Sequence, residues 1–165
     1  MDNTITGRIW VFGDDVDTDV IYPGKYLPIL DSAEMALHAL EGVDPKFPGC
    51  IESGDILVAG VGFGCGSSRE QAAACLKAAG IGAVVAVSFA RIFFRNAINL
   101  GLPIVQADVN KLLRDGDQIT IDFLRSRIQI SSEEFSFPPL HQSVMDILNA
   151  GGLIPAVRSK LGITS

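Results

Sequence analysis

At 165 residues, with 48% hydrophobic and only 19% charged side chains, the chain is long enough for one domain with a sizeable core and too apolar for a disordered polymer. A formal net charge of -6 argues against nucleic acid as a partner, because phosphate binding needs a basic face. No apolar run approaches the ~20 residues needed to cross a bilayer.

The N-terminal segment MDNTITGR has no basic stretch followed by an apolar one, so no export signal is expected and the cytoplasm is the expected compartment. Gly7–Gly13 reads as a strand bounded by glycines, and Asp14–Tyr26 as a polar loop containing Pro and Gly. Asp31–Leu40 reads as a helix, with Asp31 or Ser32 as N-cap and Gly42 just past its end. A second long loop covers Val43–Ser53. Asp55–Gly60 is a short apolar strand, Gly62–Ser68 a tight turn, and Arg69–Ala79 a helix ended by Gly80 and Gly82. Ala83–Ser88 is a buried strand, Ala90–Asn99 a helix that stops near Gly101-Leu102-Pro103, and Pro103–Gln106 a further strand. This alternation predicts parallel pairing with right-handed crossovers, hence an α/β fold. Gln118–Phe123 and Arg127–Ile130 instead alternate apolar and polar residues, as half-buried antiparallel strands do. Helices near Gln142–Asn149 and Ile154–Leu161 complete the chain.

Gly60-Val-Gly-Phe-Gly-Cys-Gly-Ser-Ser-Arg-Glu70 is the most informative stretch. Backbone N–H groups at a strand-to-helix turn of this kind favour an anion. The dinucleotide fingerprint GxGxxG fails in every frame, and no lysine follows the second glycine as a P-loop requires. Two readings stay open. Ser67 and Glu70 fit a capping box, with Ser67 as N-cap. Alternatively, Arg69 in the first turn, where the helix dipole disfavours a cation, marks a bound carboxylate gripped in bidentate fashion.

Other candidate sites carry weaker signals. Cys50, Cys65 and Cys75 contain no CxxC pair, so buried or reduced free thiols are expected rather than disulfides or cluster ligands. Asp15, Asp17 and Asp19 begin like a calcium loop, but Val20 and Tyr26 stand where Gly and Glu are needed, so turn-forming aspartates are expected. In Ser88–Ala97, Ser88 is a candidate N-cap and Phe89, Ile92 and Phe93 are spaced to pack one helical face. Arg91 and Arg95 are like-charged i,i+4 neighbours. Salt bridges to acidic partners are favoured there over direct substrate contact.

Taken together, Gly64-Cys-Gly-Ser-Ser-Arg-Glu70, Ser88-Phe-Ala-Arg-Ile-Phe-Phe-Arg-Asn-Ala97 and Gly101-Leu-Pro-Ile104 resemble the swivelling domain of the aconitase superfamily. Asp17-Thr-Asp-Val-Ile-Tyr-Pro23, with Gly24 and Tyr26, resembles the N-terminal loop of isopropylmalate isomerase small subunits. The resemblance implies a single swivelling β/β/α domain over residues 1–165, with a mostly parallel central sheet plus antiparallel strands. It implies a hydro-lyase subunit, active only with a large subunit that carries a [4Fe–4S] cluster, and a small dicarboxylate 2-hydroxy acid as substrate. Ser67 is then the catalytic base, as an alkoxide, and Ser68 and Arg69 bind substrate. Tyr26, Leu27, Pro28 and Ile29 occupy the loop that sorts substrates in the family. Homoaconitase-type relatives resemble one another in having Arg then Thr after Tyr-Leu. Pro28 and Ile29 cannot pair with a carboxylate and suit an apolar substituent, as in isopropylmalate, unless they merely pack the loop. Citramalate, 2,3-dimethylmalate and homocitrate remain as alternatives, as does a non-catalytic anion-binding module. Self-association of the isolated subunit stays open. One departure stands out: Gln71 replaces the family's usual His, and Gln cannot carry a proton.

Overall fold

In the computed structural model, which describes residues 1–163, strand β1 (Thr4–Val11) joins two differently built halves of one sheet. On one side it pairs in parallel with β2 (Ile56–Ala59), followed by β3 (Ala83–Ala86) and β4 (Ile104–Gln106). On the other it pairs antiparallel with β5 (Gln118–Asp122), followed by β6 (Arg127–Ile130) and β7 (Glu133–Ser136). The order is β4-β3-β2-β1-β5-β6-β7, with parallel and antiparallel pairings in equal share. Helices α1 (Thr18–Ile21), α2 (Ser32–Ala36), α3 (Glu70–Ala78), α4 (Arg91–Leu100), α5 (Gln142–Asn149) and α6 (Leu153–Lys160) complete the described chain.

The topology explains why the two halves differ. Each step from β1 to β4 moves one strand further in the same direction, so right-handed crossovers place α3 and α4 on one face. There Leu57, Ala59, Val84 and Ala86 pack with Ala73, Leu76, Phe93 and Ala97. A parallel sheet needs both faces covered. No helix from these crossovers reaches the second face, where Ile56, Val58, Ala83 and Val85 pack instead with Ile119, Ile121, Ile128 and Phe137 of the antiparallel half. The alternation of β5 and β6 follows from this: one face is covered and the other meets solvent.

Three expectations shift locally. β7 escapes sequence reading because an edge strand carrying Glu133 and Glu134 lacks an apolar stripe. α1 lies inside the expected Asp14–Tyr26 loop and is too short for periodicity to reveal. The helix expected over Asp31–Leu40 ends at Ala36. Its cap is as expected, with Asp31 accepting from the Glu34 N–H at 2.9 Å. Beyond it, Leu40 adopts a positive φ of 60° and donates its N–H to Ile21 at 2.7 Å.

One buried charge stabilises the sheet next to β1. Asp55 is 3% exposed and accepts from Arg8 Nε at 3.1 Å and Nη2 at 2.7 Å, Trp10 Nε1 at 2.8 Å and the Glu52 N–H at 2.9 Å. Burial alone would push its carboxyl up; these donors, Arg8 first, outweigh that and hold it below the usual carboxylate range. The ionised form therefore stabilises the fold above the unfolded-chain value of about 4, and that contribution is lost as pH falls from there through the folded-state value. Asp55→Ala is expected to cost about 2–3 kcal/mol in urea unfolding at pH 7, because buried donors lose their acceptor. The cost should shrink below pH 4, and a pH-independent difference would contradict this account.

Candidate functional site

The loops that follow β1, β2 and β3 leave the same end of the parallel sheet, where open α/β sheets place their ligands. The glycine-rich loop after β2 lies between the other two. On one side it is stitched to the β1 loop: Gly64 N–H donates to Val16 at 2.8 Å, Thr18 N–H to Cys65 at 2.9 Å, and Thr18 Oγ1 to the Ser67 carbonyl at 2.8 Å. On the other it is stitched to the β3 loop: Phe63 N–H donates to Ser88 at 3.0 Å and Ala90 N–H to Phe63 at 2.9 Å. Bare glycines make this close packing possible. Gly64 has a φ of 80°, and a Cβ there would overlap the Phe93 ring.

Of the three aspartates expected to tie their own loop, Asp17 and Asp19 do so, while Asp15 makes no side-chain hydrogen bond among the described residues; Asp14 ties the neighbouring loop instead. Asp17 Oδ1 caps α1 by accepting from Asp19 and Val20, at 2.8 and 2.9 Å, and Asp14 Oδ1 accepts from Val61 N–H at 2.7 Å.

The capping roles read for two serines are not found. Helix α3 begins at Glu70 with Arg69 as N-cap and no side-chain cap, so Ser67 lies two residues before the N-cap. Its hydroxyl makes no hydrogen bond among the described residues and is exposed. The capping-box pattern fails because the segment from Cys65 to Ser67 runs beside Asp17 and Thr18 instead of turning into the helix. Ser88 likewise does not cap α4. Ala90 is the N-cap, and Ser88 Oγ accepts from the Gly62 N–H at 2.9 Å.

Two helix starts without side-chain caps therefore border one cleft of about 220 Å³, lined by Thr18, Ser67, Ser68, Arg69, Arg91 and Asn96 among others. Ser67, Ser68 and Arg69 meet there as the sequence motif implies. Asn96 is not singled out for the site by the sequence, and for Arg91 direct substrate contact is the less favoured of two readings. The favoured salt bridge is not found: Arg91 is exposed at the cleft and has no ion-pair partner among the described residues. The one usable sequence signal was its like-charged spacing from Arg95. Helix starts without side-chain caps and two arginines give this cleft the chemistry that suits an anion.

The Tyr26–Ile29 segment does not line the cleft. Tyr26 stacks on His38 with ring centroids 3.6 Å apart and donates its hydroxyl to Glu41 Oε1 at 2.6 Å. That hydroxyl holds the Glu41 carboxyl below the usual range, against partial burial. Leu27 and Ile29 pack against the core, while Pro28 is exposed. Gln71, the second residue of α3, is half-buried and also lies outside the cleft lining.

No three Cys, His, Asp or Glu side chains converge to hold a metal among the described residues. Cys50 is exposed, Cys65 lies in the glycine-rich loop, and Cys75 is buried in α3 with its thiol toward the Ala72 carbonyl at 3.3 Å. Burial pushes the thiols of Cys65 and Cys75 up, so neither is an activated thiolate.

The model of the aconitase C-terminal domain matches residues 43–108. The 3-isopropylmalate dehydratase small subunit 1 of Methanopyrus kandleri is 50% identical over 161 residues, covering 96% of this chain and 95% of that one. The chain belongs to the 3-isopropylmalate dehydratase small-subunit family. A methanogen homoaconitase small subunit from Methanothermobacter thermautotrophicus is 48% identical over 156 residues, 93% of this chain and 91% of that relative. A crystal structure of a 3-isopropylmalate dehydratase from Methanocaldococcus jannaschii superposes with a TM-score of 0.92 at 45% identity, covering 97% and 96% of the two chains. The mixed sheet is thus the fold of this family. Identity over the whole chain does not separate the isopropylmalate relatives from the homoaconitase one.

Proposed function

We propose that this chain is the small subunit of a hydro-lyase that interconverts 2- and 3-isopropylmalate, in leucine biosynthesis, as a single swivelling domain over its length. The observation that carries the reading is the convergence of Ser67, Ser68 and Arg69 on one cleft between two helix starts that lack side-chain caps. Ser67 accepts the carbon-bound proton on dehydration and returns it on rehydration. Its hydroxyl must be activated for that task. The free N–H groups of α3 and the Arg69 guanidinium favour the alkoxide. Arg69 grips a substrate carboxylate, and Ser68 and Arg91 are placed to hydrogen-bond the same anion or its second carboxylate.

The three cysteines are scattered, and burial pushes the thiols of Cys65 and Cys75 up, so they do not fit an iron–sulfur cluster and we assign the [4Fe–4S] cluster to a large subunit docked over the cleft. That cluster would supply the Lewis-acid iron for the leaving hydroxyl. Gln71 stands outside the cleft lining, so its replacement of histidine leaves the cleft itself intact. The location proposed for the assembled enzyme is the cytoplasm; among the described residues no helix is long and apolar enough to cross a membrane. Pro28 stands outside the cleft lining of this chain but is exposed, and we assign it to the wall that meets the substrate's variable substituent once the large subunit is docked; unable to pair with a carboxylate, it favours isopropylmalate over homocitrate.

Reconstitution tests the assignment. The purified chain incubated with iron and sulfide should stay colourless and inactive, and mixing it with the large subunit should restore turnover of isopropylmalate. Stoichiometric iron and sulfide retained by this chain alone would overturn the division of labour.

A further inference from the structure

Resting on the substrate-gripping role proposed for Arg69, the geometry points to Asp19 and Gly24 as positioning residues that aim its guanidinium. Arg69 is 19% exposed at the side chain, a low value for an arginine at a cleft. Its Nη1 donates to Asp19 Oδ1 at 2.7 Å and to the Tyr22 carbonyl at 3.3 Å. The same Asp19 oxygen accepts the Gly24 N–H at 2.9 Å, which fixes the carboxylate to the loop it serves. Hydrogen bonding to Arg69, then to Gly24, keeps Asp19 ionised to lower pH than usual.

One edge of the guanidinium is therefore occupied. Nε and Nη2 have no hydrogen-bond partner among the described residues, and together they form the side edge that takes a carboxylate in bidentate fashion. Gly24 sets the plane. A Cβ there would lie 3.2–3.5 Å from Nη2, Nη1 and Cζ, so the guanidinium lies against the bare Cα. Gly24 is not required for backbone reasons, since its φ is not in the left-handed region. Residues about 50 positions away in sequence thus present Arg69 with one edge held and one edge open. An arginine ordered in advance loses less freedom when it binds.

The test uses the assembled enzyme with isopropylmalate. Asp19→Ala should raise KM about tenfold, the worth of one charge-assisted hydrogen bond, with a smaller change in kcat. Asp19→Asn keeps an acceptor and should stay within about threefold of wild type. Gly24→Ala should raise KM in the same direction with an unchanged melting temperature, and it keeps the proposal testable if Asp19→Ala misfolds. In an Arg69→Lys background, Asp19→Ala should add little, because both changes remove one device. An unchanged KM in Asp19→Ala, or full additivity with Arg69→Lys, would overturn the positioning role. An unchanged KM in Arg69→Lys itself would instead overturn the substrate role of Arg69, and the two failures are thereby distinguished.

Discussion

Ser67→Ala in the assembled enzyme is expected to lower kcat by about 10²–10⁴-fold, the range that a positioned acid–base group contributes. Stability should barely move. An N-cap serine would cost ~1 kcal/mol on removal, but Ser67 caps nothing: α3 starts at Glu70, and only the Ser67 carbonyl is engaged, by Thr18. Alanine keeps that carbonyl and removes an exposed hydroxyl with no partner among the described residues. Steady-state kinetics beside thermal melting separate the outcomes. Lost turnover with an unchanged melting temperature supports the base. Retained turnover removes Ser67 from the chemistry. A fall in melting temperature would mean the loop depends on the hydroxyl after all.

The second large effect concerns substrate choice. Pro28→Arg is expected to shift relative kcat/KM from isopropylmalate toward homocitrate by roughly tenfold to a hundredfold, the worth of a charge-assisted hydrogen bond of ~1.5–3 kcal/mol. A carboxylate against an apolar wall loses hydration without return, whereas a paired one recovers much of it. Pro28 is the better target of the pair because it is exposed, while Ile29 packs against the core and its change to Thr would cost stability. The loop should hold its path, since Tyr26 stays fixed on His38 and Glu41. Losing the proline ring frees some backbone and trims the gain. Measured kcat/KM for isopropylmalate, citramalate, dimethylmalate and homocitrate decides the matter. A wild type that already prefers homocitrate shows the loop was misread. An unchanged ranking in Pro28→Arg places specificity in the large subunit.

The strand–helix alternation from Asp55 to Gln106, the antiparallel turn of pattern after it, and the Asp31 cap were legible along the chain because each is written in neighbouring residues. The motifs around Ser67 and Ser88 were likewise enough to place the chain in its family. What no local pattern carried was which hydrogen bonds those residues make. Ser67 and Glu70 have capping-box spacing, yet a cap also requires the chain to turn into the helix at that serine. The backbone between Cys65 and Ser67 is instead held by Asp17 and Thr18, about 50 residues away. Ser88 passed the same local test and was taken by Gly62. Arg91 and Asn96 became cleft residues, and Arg69 acquired Asp19, only when three loops met at one end of the sheet. Composition and periodicity determined the elements, because burial and propensity act between near neighbours, and the short motifs carried the family resemblance. The tertiary structure alone decided which polar groups are held and which are left open for a ligand, because a hydrogen bond goes to whichever partner the fold brings within reach, whatever its distance along the chain.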